Sequence, residues 1–175
     1  MRSRRRIGPA ILIAAALTVP TRVTAQQDVE KAIAEFKKAD SGIAKVFATA
    51  HGYAIFPSVG KGAIGIGGAH GNGHVYEQGR LIGHTTLTQV TVGFQFGGQA
   101  YREVIFFKDK TALDDFTRGN FEFSAQATAV AITAGASADL AYNGGVAIVT
   151  MAKGGLMYEA SVGGQKFSYK PVTSK

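Results

Sequence analysis

Gly52-Tyr53-Ala54-Ile55-Phe56-Pro57-Ser58-Val59-Gly60-Lys61-Gly62-Ala63-Ile64-Gly65-Ile66-Gly67-Gly68 sets glycines between β-branched and aromatic residues. That mixture penalises a helix, and its glycines let neighbouring backbones approach where larger side chains would crowd them. The run reads as packed sheet and turn. Residues 53–56 form a strand stopped by Pro57. Residues 63–69 and 74–77 form a hairpin across Gly71-Asn72-Gly73, where Asn-Gly supplies the positive φ angles of a tight turn. Lys61 falls between glycines in an exposed turn.

Downstream, residues 86–97 alternate, with Val90, Val92, Phe94 and Phe96 on one face and Thr91, Gly93, Gln95 and Gly97 on the other. Gly97-Gly98 marks a bend or bulge, and 100–107 resumes as a buried strand. Asp109 caps a short helix over 110–117, with Leu113 and Phe116 inward. Residues 121–133, 146–151, 156–162 and 165–169 give four more strands, punctuated by glycine pairs at 144–145, 154–155 and 163–164. The expected class is α+β, mainly antiparallel β: a sandwich or a partly closed barrel.

Residues 28–50 are the one long helical candidate. Val29, Ile33, Phe36, Ile43, Val46 and Phe47 recur mainly on one stripe, with Lys31, Lys37, Lys38 and Lys45 largely off it. Asp40-Ser41-Gly42 predicts a break into two helices. Ahead of this segment, Arg2, Arg4, Arg5 and Arg6 precede a short apolar run over 11–17, and Val23-Thr24-Ala25 offers small residues for cleavage before Gln26. Residues 1–25 read as a Sec-type export signal, leaving 26–175 as one domain, helical over 26–50 and mainly β over 51–170. The mature chain is expected to be periplasmic or secreted.

Five of the 19 basic residues lie in that leader and none of the 12 acidic ones does, so 14 against 12 remain. A pI near 9.7 therefore reports the export signal and gives no ground for a nucleic-acid partner. The absence of cysteine excludes disulfides, thiolate metal sites and a lipidated N-terminal Cys.

Gly60-Lys61-Gly62-Ala63-Ile64-Gly65 satisfies G-x-G-x-x-G, but no helix former follows, and no acid stands near Thr85 to meet a ribose. No nucleotide partner is expected. His70, His74 and His84 with Glu77 could be assembled into a metal site around one hairpin, although loop histidines beside glycines are more often simply solvated. Ser137, in Gly135-Ala136-Ser137-Ala138-Asp139, lacks the second glycine of a nucleophile elbow, and nothing in the spacing joins it to His51 or Asp139. No metal, cofactor or catalytic residue is expected. The phenylalanines 94, 96, 106, 107, 121 and 123 read as core, or as the lining of a barrel interior able to hold an acyl chain.

The 52–68 run, together with Gly93-Phe94-Gln95-Phe96-Gly97-Gly98-Gln99-Ala100-Tyr101 and 154–167, resembles the SYLF domain of yeast-type actin-organising proteins and of bacterial exported proteins. The wording of 164–169 is similar to the bacterial exported branch. The resemblance implies a non-enzymatic domain that binds lipid through its amphipathic N-terminal part. Carried onto this chain, it puts lipid contact at Phe36, Lys37, Lys38, Lys45, Phe47 and Lys61. The implied partner is an anionic phospholipid or other envelope lipid. The alternative is an envelope structural or interaction module docking another protein, with the apolar stripe simply packed on the sheet.

Overall fold

The computed structural model describes residues 21–64, 66–92, 99–124, 126–153 and 162–173. Two helices open it, α1 (Thr21–Ala39) and α2 (Ile43–Thr49). Strands β1 (Gly52–Ile64), β2 (Ile66–Glu77), β3 (Arg80–Val92) and β4 (Gln99–Phe107) follow, then helix α3 (Lys110–Thr117). The chain ends with β5 (Phe121–Glu122), β6 (Val130–Ala131), a 3-10 turn at Ala136–Asp139, β7 (Val146–Ala152) and β8 (Lys166–Pro171).

The strands form one sheet in the order β5-β8-β3-β2-β1-β4-β7-β6. All pairs are antiparallel except β6 with β7. The sheet curls into a half-barrel, so of the two expected architectures the partly closed barrel is the one realised. Its inner face buries Ala54, Phe56, Leu87, Ile105, Phe107 and Phe167, with α3 adding Leu113 and Phe116. Its outer face buries Ile55, Val104, Phe106 and Val149 beneath Val29, Ala32 and Phe36 of α1 and Ile43 of α2. Phe106 and Phe107 thus serve different layers, because successive residues of a strand point to opposite faces.

Several expected boundaries moved. Pro57 does not end a strand; β1 runs on to Ile64 and absorbs the missing N–H as a register shift between Phe56 and Val59. The Asn72-Gly73 turn is also overturned: β2 is continuous there, with Asn72 opposite Thr86. Gly73 is needed for space, since a Cβ there would stand 2.7 Å from the Phe56 ring. The β2–β3 turn falls instead at Gln78-Gly79, with φ of 49° and 79°. The strand expected over 121–133 shrinks to β5 and β6, because the small and polar residues between Phe123 and Val130 have little to bury. In β3 Gly83, Thr85, Leu87 and Gln89 are buried, and Val90 is 78% exposed. Residues 156–161 of the strand expected over 156–162, and the rings of Phe94 and Phe96, lie outside the described residues.

Candidate functional site

The helical layer comes first, because the lipid contact is expected there. Asp40 makes the break between its helices: Oδ1 accepts from the Gly42 N–H at 2.9 Å and Oδ2 from the Ser137 N–H at 2.6 Å. Hydrogen bonds from Ser137 hold the Asp40 carboxyl below its usual range. Arg102 of β4 reaches out to Glu35 of α1 at 2.6 Å and fixes the helix on the sheet.

Phe36 is fully buried in the outer layer. That corrects its place in the contact set: the stripe carrying Phe36 is already spent on Ile55, Val104 and Phe106. Phe47 is half-buried, edge-on to Tyr53 and Phe106 at centroid distances of 5.1 and 4.8 Å, with the Lys37 ammonium 5.4 Å from its ring centre. Burial, followed by the charge of Tyr76, pushes the Tyr53 hydroxyl up to about 12. Lys37, Lys38 and Lys45 are exposed, and among the described residues no carboxylate pairs with any of them. Lys61 does not occupy an exposed turn. It is half-buried on β1, paired with Ala69 and Gln99, eight residues beyond Tyr53, or about 25 Å along the strand. The structure therefore brings Lys37 and Phe47 together, adds Lys38 and Lys45 on the same layer, and leaves Lys61 apart.

The other candidate chemistry does not assemble. His51 Nε2 lies 3.1 Å from Glu77 Oε1, away from Ser137, whose backbone serves Asp40. His74 and His84 face each other across β2 and β3 with ring centroids 4.8 Å apart, while His70 stands opposite Thr88. Burial and then the neighbouring His84 hold the His74 imidazole below its usual range. No group of three or more metal-ligating side chains occurs among the described residues. Residues 60–64 of the G-x-G-x-x-G run lie along β1, where strand pairing takes the place of a phosphate-facing helix.

A polar cluster inside the half-barrel was missed. Glu103 and Gln165 are each 0% exposed and Thr150 is 1% exposed. Gln165 Nε2 donates to Glu103 Oε2 at 3.0 Å and to the Tyr101 hydroxyl at 3.1 Å. Gln165 immediately precedes β8, which is separated from β4 by β3, β2 and β1, so these bonds cross the interior of the curl. Thr150 stands opposite Glu103 on β7. Among the described residues, Glu103 Oε1, Gln165 Oε1 and Thr150 Oγ1 have no hydrogen-bond partner. Burial, only partly countered by Gln165, pushes the Glu103 carboxyl up to about 8. Strand parity held the signal: Tyr101, Glu103, Ile105 and Phe107 share one face, and a glutamate among them has to be interior.

Comparison with known proteins gives two matches. Residues 88–171 match the family model described as "Ysc84: Las17-binding protein actin regulator". "Beta cell expansion factor A" of Aeromonas veronii is 32% identical over 124 residues, covering 70% of this chain and 47% of that protein. The chain thus spans about half the length of this curated relative.

Proposed function

Because the chain belongs, through residues 88–171, to the Ysc84 or SYLF-domain family, we propose that it is an exported, non-enzymatic module that associates with anionic lipid surfaces through Lys37, Lys38 and Lys45. Family membership carries a lipid-binding or actin-regulating role in general terms, and the family is not known for enzymatic activity. The observation supporting the lipid surface is the trio of exposed, carboxylate-free ammonium groups on the layer that covers the sheet. Two of them occupy the last turn of α1, where the helix dipole also favours cations. Phe47 supports this layer from below, held between Lys37 and the sheet.

Each lysine at an anionic surface contributes about 1 kcal/mol, so the three together give reversible association. Replacing Lys37, Lys38 and Lys45 by Gln is expected to weaken binding by roughly a hundredfold on that basis. Sedimentation with phosphatidylglycerol vesicles at low salt, beside phosphatidylcholine vesicles, reads this directly. Absence of pelleting by the folded wild-type chain would reject the proposal, and capture of an envelope protein by that chain would favour the interaction-module reading. Export predicts that the extracytoplasmic form begins at Gln26. The α1 residues buried on the sheet, Val29, Ala32 and Phe36, all lie beyond that point.

A further inference from the structure

Inside the half-barrel, three oxygen atoms on fully buried side chains have no donor among the described residues: Glu103 Oε1, Gln165 Oε1 and Thr150 Oγ1. An unsatisfied buried polar atom is costly, and three in one neighbourhood define a demand for donors. They come from different parts of the sheet. Glu103 is in β4, Thr150 is its direct partner in β7, and Gln165 bridges from the segment before β8 to the same carboxyl. The surroundings are apolar: Phe56 stands opposite Glu103 on β1, Ile105 follows on the same face, and Val162, whose carbonyl accepts from the Gln165 N–H, belongs to the same core cluster. Among the described residues, Tyr101 is a titratable group facing Glu103, and none of the buried ones is basic.

We propose that this cluster is a binding site for a primary ammonium group on an apolar stem, held by Glu103, Gln165 and Thr150. An ammonium has three N–H donors and no acceptor, matching three free oxygens. Glu103 supplies the counter-charge, without which a buried cation would be prohibitively desolvated. A carboxylate, an amide carbonyl and a hydroxyl fit this group better than a calcium ion, which takes about six to eight oxygens. The aromatic and aliphatic wall takes the stem. The ligand class includes alkylamines and lipids with an aminoethyl head. The site is independent of the outer lysines, so failure of vesicle binding leaves it standing.

The carboxyl must lose its proton to hold the cation, which gives the test a signature. With Glu103 held near 8, the affinity for hexylammonium is expected to rise about fiftyfold from pH 6 to pH 8, with proton release on binding. Calorimetry on the full chain in buffers of different ionisation enthalpy measures both. Hexyltrimethylammonium, which has no N–H, is expected to bind at least about tenfold more weakly. Glu103→Gln is expected to abolish binding, and Thr150→Val, a milder change, to weaken it about tenfold. Vesicles carrying ethanolamine heads, compared with choline heads, separate a lipid ligand from a soluble amine. Lack of hexylammonium binding by the folded wild-type chain at pH 8, equal binding of the trimethyl analogue, or a flat pH profile would each overturn the proposal.

Discussion

Glu103 holds its proton in the folded protein up to about 8, against an ordinary value of 4.5. Between those values the native state binds a proton that the unfolded chain has released, so stability falls as pH rises. Below the window the contribution is complete; above it the carboxylate is buried and charged. Thermal melts of the wild-type chain are therefore expected to show a decline in Tm from pH 5 to pH 8.5. Glu103→Gln should flatten that decline, and an unchanged slope would show that Glu103 is not its source. Phe36 illustrates the opposite fate, an aromatic buried between the helices and the sheet. Phe36→Ala is expected to cost about 3–5 kcal/mol in urea unfolding, the penalty for deleting a buried ring. Phe36→Leu, which keeps most of the apolar volume, should leave vesicle binding intact, whereas a membrane-inserting ring would be missed.

Among the elements, legibility followed the locality of the determinant. Asp109 was readable as a cap because its side chain serves its own helix, accepting from the Ala112 N–H at 3.0 Å. The break at Asp40-Ser41-Gly42 was readable for the same reason. Its second half was not: Ser137, which Asp40 also caps, lies 97 residues away. Gly73 was misread because its requirement is set by the Phe56 ring on the neighbouring strand and leaves its own φ ordinary. The apolar stripe of α1 was legible as a stripe, but which surface buries it depends on β1, β4 and β7 meeting beneath it. Asp40→Ala removes two acceptors from partly buried N–H groups and is expected to cost about 1–3 kcal/mol, read by urea unfolding. Arg102 is a sharper test of docking, since its side chain is only 12% exposed where it meets Glu35. Arg102→Gln should destabilise by more than the few tenths usual for surface pairs, and Glu35→Gln should add little to it. Full additivity in that cycle would show that the two side chains do not act together.

At the scale of the whole molecule, two apolar layers share one sheet, and among the described residues little grease is left outside. Val90 and Val172 are the large hydrophobics exposed among the described residues, and neither belongs to the helical layer. Residues 26–175 carry 14 basic residues against 12 acidic ones, so that part of the chain sets up no strong overall field toward a membrane. Attraction in this conformation has to come from local ammonium–phosphate contacts, and these are screened within about 10 Å at 0.1 M salt. Pelleting with anionic vesicles is accordingly expected to fall steeply between about 20 and 300 mM salt, the range over which the screening length shrinks several-fold. Salt-resistant binding would require inserted apolar surface, and the available reserve lies under α1 and α2: Val29, Phe36 and Ile43 against Ile55, Val104 and Phe106. Releasing it means opening the outer layer, which would expose both faces at once and unprotect the backbone of α1. Hydrogen exchange with and without vesicles separates the two modes. Protection of α1 unchanged on binding fits a docked layer presenting lysines, whereas its collapse would show that the helices leave the sheet to enter the bilayer.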